Sequence, residues 1–244
     1  MVRNGKRNRK AQGKHARRRP RMSFKTRVLR AMEGETKVAK LYQTIPLNNT
    51  ISDPRQLMPA IRQGTSAHAE RIGNNISLKK LVIKGFIRIP SVNSVAGDTE
   101  HLGRLMILRQ RNVNASTIIG DPTLFAANDL MEYDQPYLGT PNNFLQKVNR
   151  STFVSRKDKK MHFSVSANFQ GNNPEVPNPD SIRFFSHTIT FGKQGKSLNY
   201  QTDTSTTSQD FPYILGAAIH QTDGSITAGN PDMELYTEAY YTDM

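Results

Sequence analysis

The sequence predicts an all-β protein, an eight-stranded antiparallel jelly-roll sandwich led by a basic N-terminal arm that carries a short basic helix. Three observations predict it. Apolar residues recur with period two in about eight segments separated by Gly, Pro, Asn, Ser and Thr. Helical patterns do not alternate with these segments, as they would around a parallel sheet, and no internal repeat is visible, so the strands read as a two-sheet sandwich, for which the jelly roll is the commonest eight-strand solution. The charge is confined to one end: the chain carries 34 Lys and Arg against 20 Asp and Glu, and thirteen of the basic residues stand within the first thirty with no acid among them.

Those thirteen are Arg3, Lys6, Arg7, Arg9, Lys10, Lys14, Arg17, Arg18, Arg19, Arg21, Lys25, Arg27 and Arg30. Without them 21 basic and 20 acidic residues remain, a nearly neutral body. A run of like charge repels itself and has nothing apolar to bury, so the arm is expected to be disordered until something anionic neutralises it. The bland reading is a solvated tail; the density of charge argues for a phosphate backbone, which such a segment binds by counterion release, strongly and without regard to sequence. Arg17 to Arg21 can also serve as a nuclear localisation signal. A secretory signal requires an apolar stretch after the charges, and none follows. A transit peptide is Ser-rich, whereas Ser23 is the one Ser before residue 40. No segment approaches the roughly 18 apolar residues of a membrane span.

The elements follow in order. Residues 22–42 place Phe24, Val28, Leu29 and Met32 at helical spacing behind Ser23, a short basic helix broken near Gly34. The arm with this helix spans 1–42 and the shell-forming body 43–244. Residues 43–75 read as a connection with one strand at most. In "ISLKKLVIKGFIRIP" Leu81, Ile83, Ile87 and Ile89 alternate with Lys80, Val82, Lys84, Phe86 and Arg88, with Gly85 a bulge or close contact. Strand 103–111 puts Leu105 and Ile107 on one face and Met106 and Leu108 on the other. Residues 121–131 read as a helix capped by Asp121 with Pro122 at its first position. Residues 151–168 read as a hairpin turning at Lys157-Asp158. Strands follow at 181–191, 197–201, 211–220 and 233–243; the last sets Leu235, Thr237, Ala239 and Tyr241 against Glu234, Tyr236, Glu238 and Tyr240.

Chemistry is sparse. With no Cys, disulfides, thiolate metal sites and Cys nucleophiles are excluded. The six His show no metal-ligand spacing; His162, His187 and His220 lie in strands, where packing is the usual role. "GKQGKS" (192–197) has Thr190 where a phosphate-binding loop needs its first Gly, and it joins two strands, which leaves Lys193 and Lys196 at a hairpin tip as solvated charge or extra phosphate contacts. No catalytic constellation emerges, and an enzyme is not expected.

The layout resembles the coat proteins of satellite viruses of the tobacco-necrosis type and the related capsids of circular single-stranded DNA viruses. The resemblance rests on the arginine-rich start, on "ERIGNNISLKKLVIKGFIRIP" as the first jelly-roll strand, on "GRLMILRQRNVN" as the next, on "TPNNFLQKVNRSTFVSRKDKKMHF", and on the ending "ELYTEAYYTDM" with its "YTD". It implies one jelly roll per subunit, a closed T=1 icosahedral shell of sixty copies, an arm turned inward to a single-stranded genome, and location in the virion and, for a DNA genome, the host nucleus. Sixty arms supply on the order of 800 charges, enough to neutralise in part roughly one to two thousand nucleotides. It also implies calcium at subunit contacts, with Asp243 and carbonyls of the loop Ile72-Gly73-Asn74-Asn75 as ligands, although this loop has Asn where the family can have an acid. Arm charge is blind to the sugar; chain length and the long arm favour DNA over RNA. A cellular nucleic-acid-binding protein with a basic tail is the alternative.

Overall fold

The computed structural model describes residues 36–51, 54–64, 69–89, 99–111, 129–133, 135–165, 181–223 and 230–244. Among them run strands β1 (Lys37–Pro46), β2 (Arg55–Gln56), β3 (Asn75–Arg88) and β4 (Thr99–Gln110), helix α1 (Pro141–Leu145), and strands β5 (Phe153–Val165), β6 (Ile182–Thr190), β7 (Lys196–Asn199), β8 (Tyr213–Gln221) and β9 (Asp232–Asp243). All strand pairs are antiparallel. One sheet has the order β1-β9-β3-β6, with β7 also on β3; the other has the order β2-β8-β4-β5.

This order is a jelly roll. Strands β6 and β7 run the same way along one edge of β3, pairing with 80–88 and then with 75–78, so they act as a single strand broken by residues 191–195. Counted so, there are eight strands. First pairs with last (β1 with β9), second with seventh (β2 with β8), third with sixth and fourth with fifth, as in one long antiparallel ribbon. Rolling that ribbon to bury its apolar side brings last against third (β9 with β3) and seventh against fourth (β8 with β4), which closes both sheets.

The core lies between the sheets. Leu81, Ile83 and Ile87 of β3, Leu105 and Ile107 of β4, and Leu235, Ala239 and Tyr241 of β9 are fully enclosed in it. Each such aliphatic side chain contributes about 1.5–3 kcal/mol by burial. The opposite faces of β4 and β8 are apolar as well: Met106, Leu108, Ile214 and Ala218 pack under the long β4–β5 excursion, against Leu130, Met131, Tyr137 and Val148. The two faces expected of 103–111 therefore both meet a core, the second supplied by this excursion.

Two bulges explain where alternation breaks. In β5 Ser155 and Lys157 face consecutive residues of β4, so Arg156 is extra and the strand changes face: Phe153 packs in the outer cluster, Met161 and Phe163 in the inner one. The break in period reads as a turn at Lys157-Asp158, but the strand is continuous. In β3 the shift falls at Lys79, so Ile76 and Leu78 share a face with Leu81 and Ile83. Gly85 is a close contact: a Cβ there would lie 2.2 Å from the Glu234 carbonyl oxygen and 2.7 Å from the Phe185 ring.

Other expectations are corrected. Residues 37–42, placed in the arm beyond the helix break near Gly34, open strand β1, whose Ala39 and Ile45 are buried; apolar residues at adjacent positions, Val38 with Ala39 and Leu41 with Tyr42, hide its period. The segment 76–89, read as the first jelly-roll strand, is the third. Lys193 is not at a hairpin tip but in the 191–195 break opposite Lys79, whose ammonium donates to the Lys193 and Gln194 carbonyls; Gly192 and Gly195, at φ of 73° and 76°, make that tight loop possible. Residues 112–128, most of the expected helix 121–131, lie outside the described residues, as do 22–35. Helix α1 begins at Thr140, whose side chain caps Asn143 N, with Pro141 following.

Arg104 fastens the excursion to the sheet. It is fully buried, donates bidentately to Asp158 at 2.9 and 2.7 Å, and donates to the Asn143 carbonyl of α1 at 2.6 Å. Asp158→Ala strands this guanidinium without a counter-charge and is expected to destabilise the domain by about 3 kcal/mol, read as a lower denaturant midpoint. Truncation after Asn230, which removes β9 altogether, is expected to give insoluble protein.

Candidate nucleic-acid interface

The thirteen basic residues from Arg3 to Arg30 lie outside the described residues. Their chain runs into Lys37, the first residue of edge strand β1, and that junction is built with unusual care. The Lys37 ammonium meets Asp243 Oδ2 at 2.7 Å and donates to the Glu70 carbonyl at 2.6 Å. Asp243 Oδ1 accepts from Ile72 N at 3.2 Å. The start of the first strand, the end of the last and the loop before β3 are thus held at one point.

Arg71 fixes that loop from inside. Its guanidinium is fully buried with no carboxylate, and stands on carbonyls instead: Gly73 O at 2.5 Å, Thr202 O at 2.9 Å and Ser205 O at 2.9 Å, with Asn74 Oδ1 at 2.9 Å. It lies 4.4 Å over the Tyr200 ring. Burying a charge is costly unless it is hydrogen-bonded; both terminal nitrogens of Arg71 are satisfied in this way, while its Nε has no partner among the described residues. Burial foremost raises the phenols of Tyr200 and Tyr241 well above their usual range.

Asp243 and the loop 72–75 do meet, as the resemblance implies, but their donors do not fit calcium. Calcium takes six to eight oxygens. Here one carboxylate is engaged by an ammonium and an amide, the Gly73 carbonyl and the Asn74 side chain are taken by Arg71, and among the described residues no group of three or more acidic or His side chains could hold a metal.

Further cations lace the open side of the sandwich, where edge strands β5 and β6 expose unpaired backbone. Lys157 and Lys159 donate to the Ser186 and Phe184 carbonyls, and Arg183 donates to the His162 carbonyl. Burial, with Lys159 beside it, lowers the Lys157 ammonium. Sequence pattern had no means of finding Arg71 or Arg104; a long cation in a strand or loop reads as solvent-facing until its carbonyl partners are known.

Of the strand histidines expected to pack, His220 is buried, His187 is half-buried and His162 is exposed. His220 is fully buried; its Nδ1 faces the Gln221 carbonyl at 2.8 Å, so Nδ1 carries the proton and Nε2 accepts from the Tyr137 hydroxyl at 3.3 Å. Phe144 of α1 stands edge-on to His162 and His220, at 5.8 and 6.2 Å. Burial first lowers His220 and His101, the latter further through His220, and pushes the Tyr137 phenol up to about 12.

No family model and no curated protein matches the sequence. Among solved structures, the chain is similar to Merkel cell polyomavirus VP1 in complex with GD1a oligosaccharide, at 10% identity over 86% of this chain and 97% of that one, with a TM-score of 0.21. It is similar also to Merkel cell polyomavirus VP1 in complex with disialyllactose (11% identity, 85% and 97% covered, TM-score 0.20) and to the unassembled VP1 pentamer (12%, 84% and 94%, 0.16). The jelly-roll assignment rests on the strand order and not on these superpositions.

Two expectations follow. Melting temperature is to be unchanged by a calcium chelator, while Asp243→Ala, which frees Lys37, lowers it in the presence and absence of calcium alike. A His pKa lowered by folding means that the unfolded chain takes up the proton first, so stability is to fall as pH drops below about 6.5, by at most about 1.4 kcal/mol per pH unit per histidine. His220→Gln is to flatten that slope in pH-dependent denaturation.

Proposed function

We propose that this chain is the coat subunit of a small icosahedral virus. It self-assembles into a closed shell of sixty copies and packages a single-stranded genome, DNA in preference to RNA, through the Arg- and Lys-rich segment from Arg3 to Arg30. Its place is the virion and, with Arg17 to Arg21 as the import signal, the host nucleus. The reading assigns it no catalytic step.

The observation that carries the reading is the junction at Lys37. A jelly roll whose first strand is an edge strand, tied down where a dense cationic segment runs in, separates two tasks. The sandwich supplies shape and contact area, and the arm supplies charge. The nearly neutral body leaves most of the phosphate affinity to the arm. The β4–β5 excursion supports the contact role: Leu138 before α1, Leu145 at its end, and Tyr133 upstream of both are 51%, 70% and 86% exposed. A closed shell needs heterologous contacts that such apolar side chains can fill.

Deletion of residues 1–21 tests the division of tasks. The truncated chain is to keep its thermal unfolding transition and its capacity to assemble, and to lose most nuclease-protected nucleic acid, read as the ratio of absorbance at 260 and 280 nm in purified particles. Packaging at normal density in moderate salt would contradict the assignment of the arm.

A further inference from the structure

The β1-β9-β3-β6 sheet has a second face, turned away from the core. Register puts Tyr42, Tyr236, Lys84 and Ser186 in one row across the four strands, and Thr44, Glu234, Phe86 and Phe184 in the next. Tyr42 is 63% exposed and Phe184 71%. Phe86 and Phe184 meet with ring centroids 5.6 Å apart and planes tilted by 58°. A hollow of about 340 Å³ opens among Tyr42, Lys84, Phe86, Phe184 and Tyr236.

The charges around it are sorted. The acids of this face stand on β9, and each is already engaged. Asp232 pairs with Arg88, and Glu234 accepts from the Tyr42 hydroxyl at 2.7 Å, which raises that phenol. Glu238 accepts from the Tyr236 and Tyr240 hydroxyls, chiefly the first, which holds its carboxyl below the usual range. Lys40 and Lys84 flank Glu238 without closing an ion pair among the described residues, and the Lys80 ammonium lies 5.3 Å over the Tyr240 ring. The cations available to a ligand are therefore lysines beside exposed aromatic rings.

We propose that this face is a base-stacking platform for single-stranded nucleic acid, with Tyr42 and Phe184 under bases and Lys40, Lys80 and Lys84 at phosphates. A four-stranded antiparallel sheet that presents aromatic rings between cations binds unpaired bases by stacking, which every base permits, while the cations follow the backbone. The position fits the occupant. Tyr42 lies five residues into β1, about 17 Å along the strand from Lys37, where the cationic segment enters. A strand gathered by that segment is delivered to this sheet. The inference rests on the reading of the arm as a nucleic-acid-binding element and adds base contacts to its phosphate contacts.

The test compares a thymidine oligonucleotide with an abasic one of equal phosphate number, both against the full-length protein at several salt concentrations. The arm cannot tell them apart, and the platform can. The wild-type chain is to bind the thymidine oligonucleotide roughly tenfold tighter or more. The double variant Tyr42→Ala/Phe184→Ala, at two exposed positions, is to bind both equally and keep the salt dependence of the wild type. Equal binding of both by the wild type overturns the platform while leaving the arm reading in place. Binding of neither overturns both. A double variant that changes only the oligomeric state, and keeps the preference for bases, overturns the platform and makes the face a contact with a second copy.

Discussion

Strand β9 is hydrogen-bonded along both of its sides, to β1 from Pro46 back to Lys37 and to β3 from Ile76 to Arg88, and the rest of the fold depends on that double pairing. A ribbon of eight strands with one apolar side cannot bury it while flat. Rolling buries it, and rolling requires the last strand to leave its place at the ribbon's end and lie against the third. Its inward side chains Leu235, Thr237, Ala239 and Tyr241 are all fully enclosed as a result. The same step turns its other side chains into the middle of an exposed sheet face, so the core and the proposed platform are two sides of one strand.

Charge in the body is put to structural use. Arg71 and Arg104 are buried cations that replace missing backbone partners where the chain is irregular, at the loop before β3 and at α1. Lys37 joins the two chain ends of the sheet, and Lys157, Lys159 and Arg183 cover the edges that a sandwich leaves open. With those cations committed, and the acids of β9 engaged by their neighbours, the path proposed for a polyanion runs from the cationic segment before β1 to the lysines of one sheet face. Junction, arm and platform are then successive parts of one path along the chain.

The regular strands were legible because alternation is written in residue type: β9 and the body of β3 match their patterns residue for residue. Interruption was not legible. A bulge and a turn both appear as a lost period, so Arg156 was hidden behind Lys157-Asp158, and the 191–195 break read as a hairpin. Edge strand β1 sets apolar residues side by side, Val38 with Ala39 and Leu41 with Tyr42, which masks its alternation. The cationic segment was plain in composition, but Tyr42, Phe86 and Phe184 belong to three separate strands, and only the register brings them together. Arg71 could not be found in the same way, since half of its acceptors are backbone carbonyls 131 to 134 residues away.

The most direct measurement is an electron cryo-microscopy reconstruction of full-length protein purified from cells with its nucleic acid. The account predicts closed particles of uniform size, with Lys37 and the outer face of the β1-β9-β3-β6 sheet innermost and nucleic-acid density against Tyr42 and Phe184. A chain that stays monomeric in the presence of nucleic acid, or a shell that carries this sheet face on its outside, would contradict it.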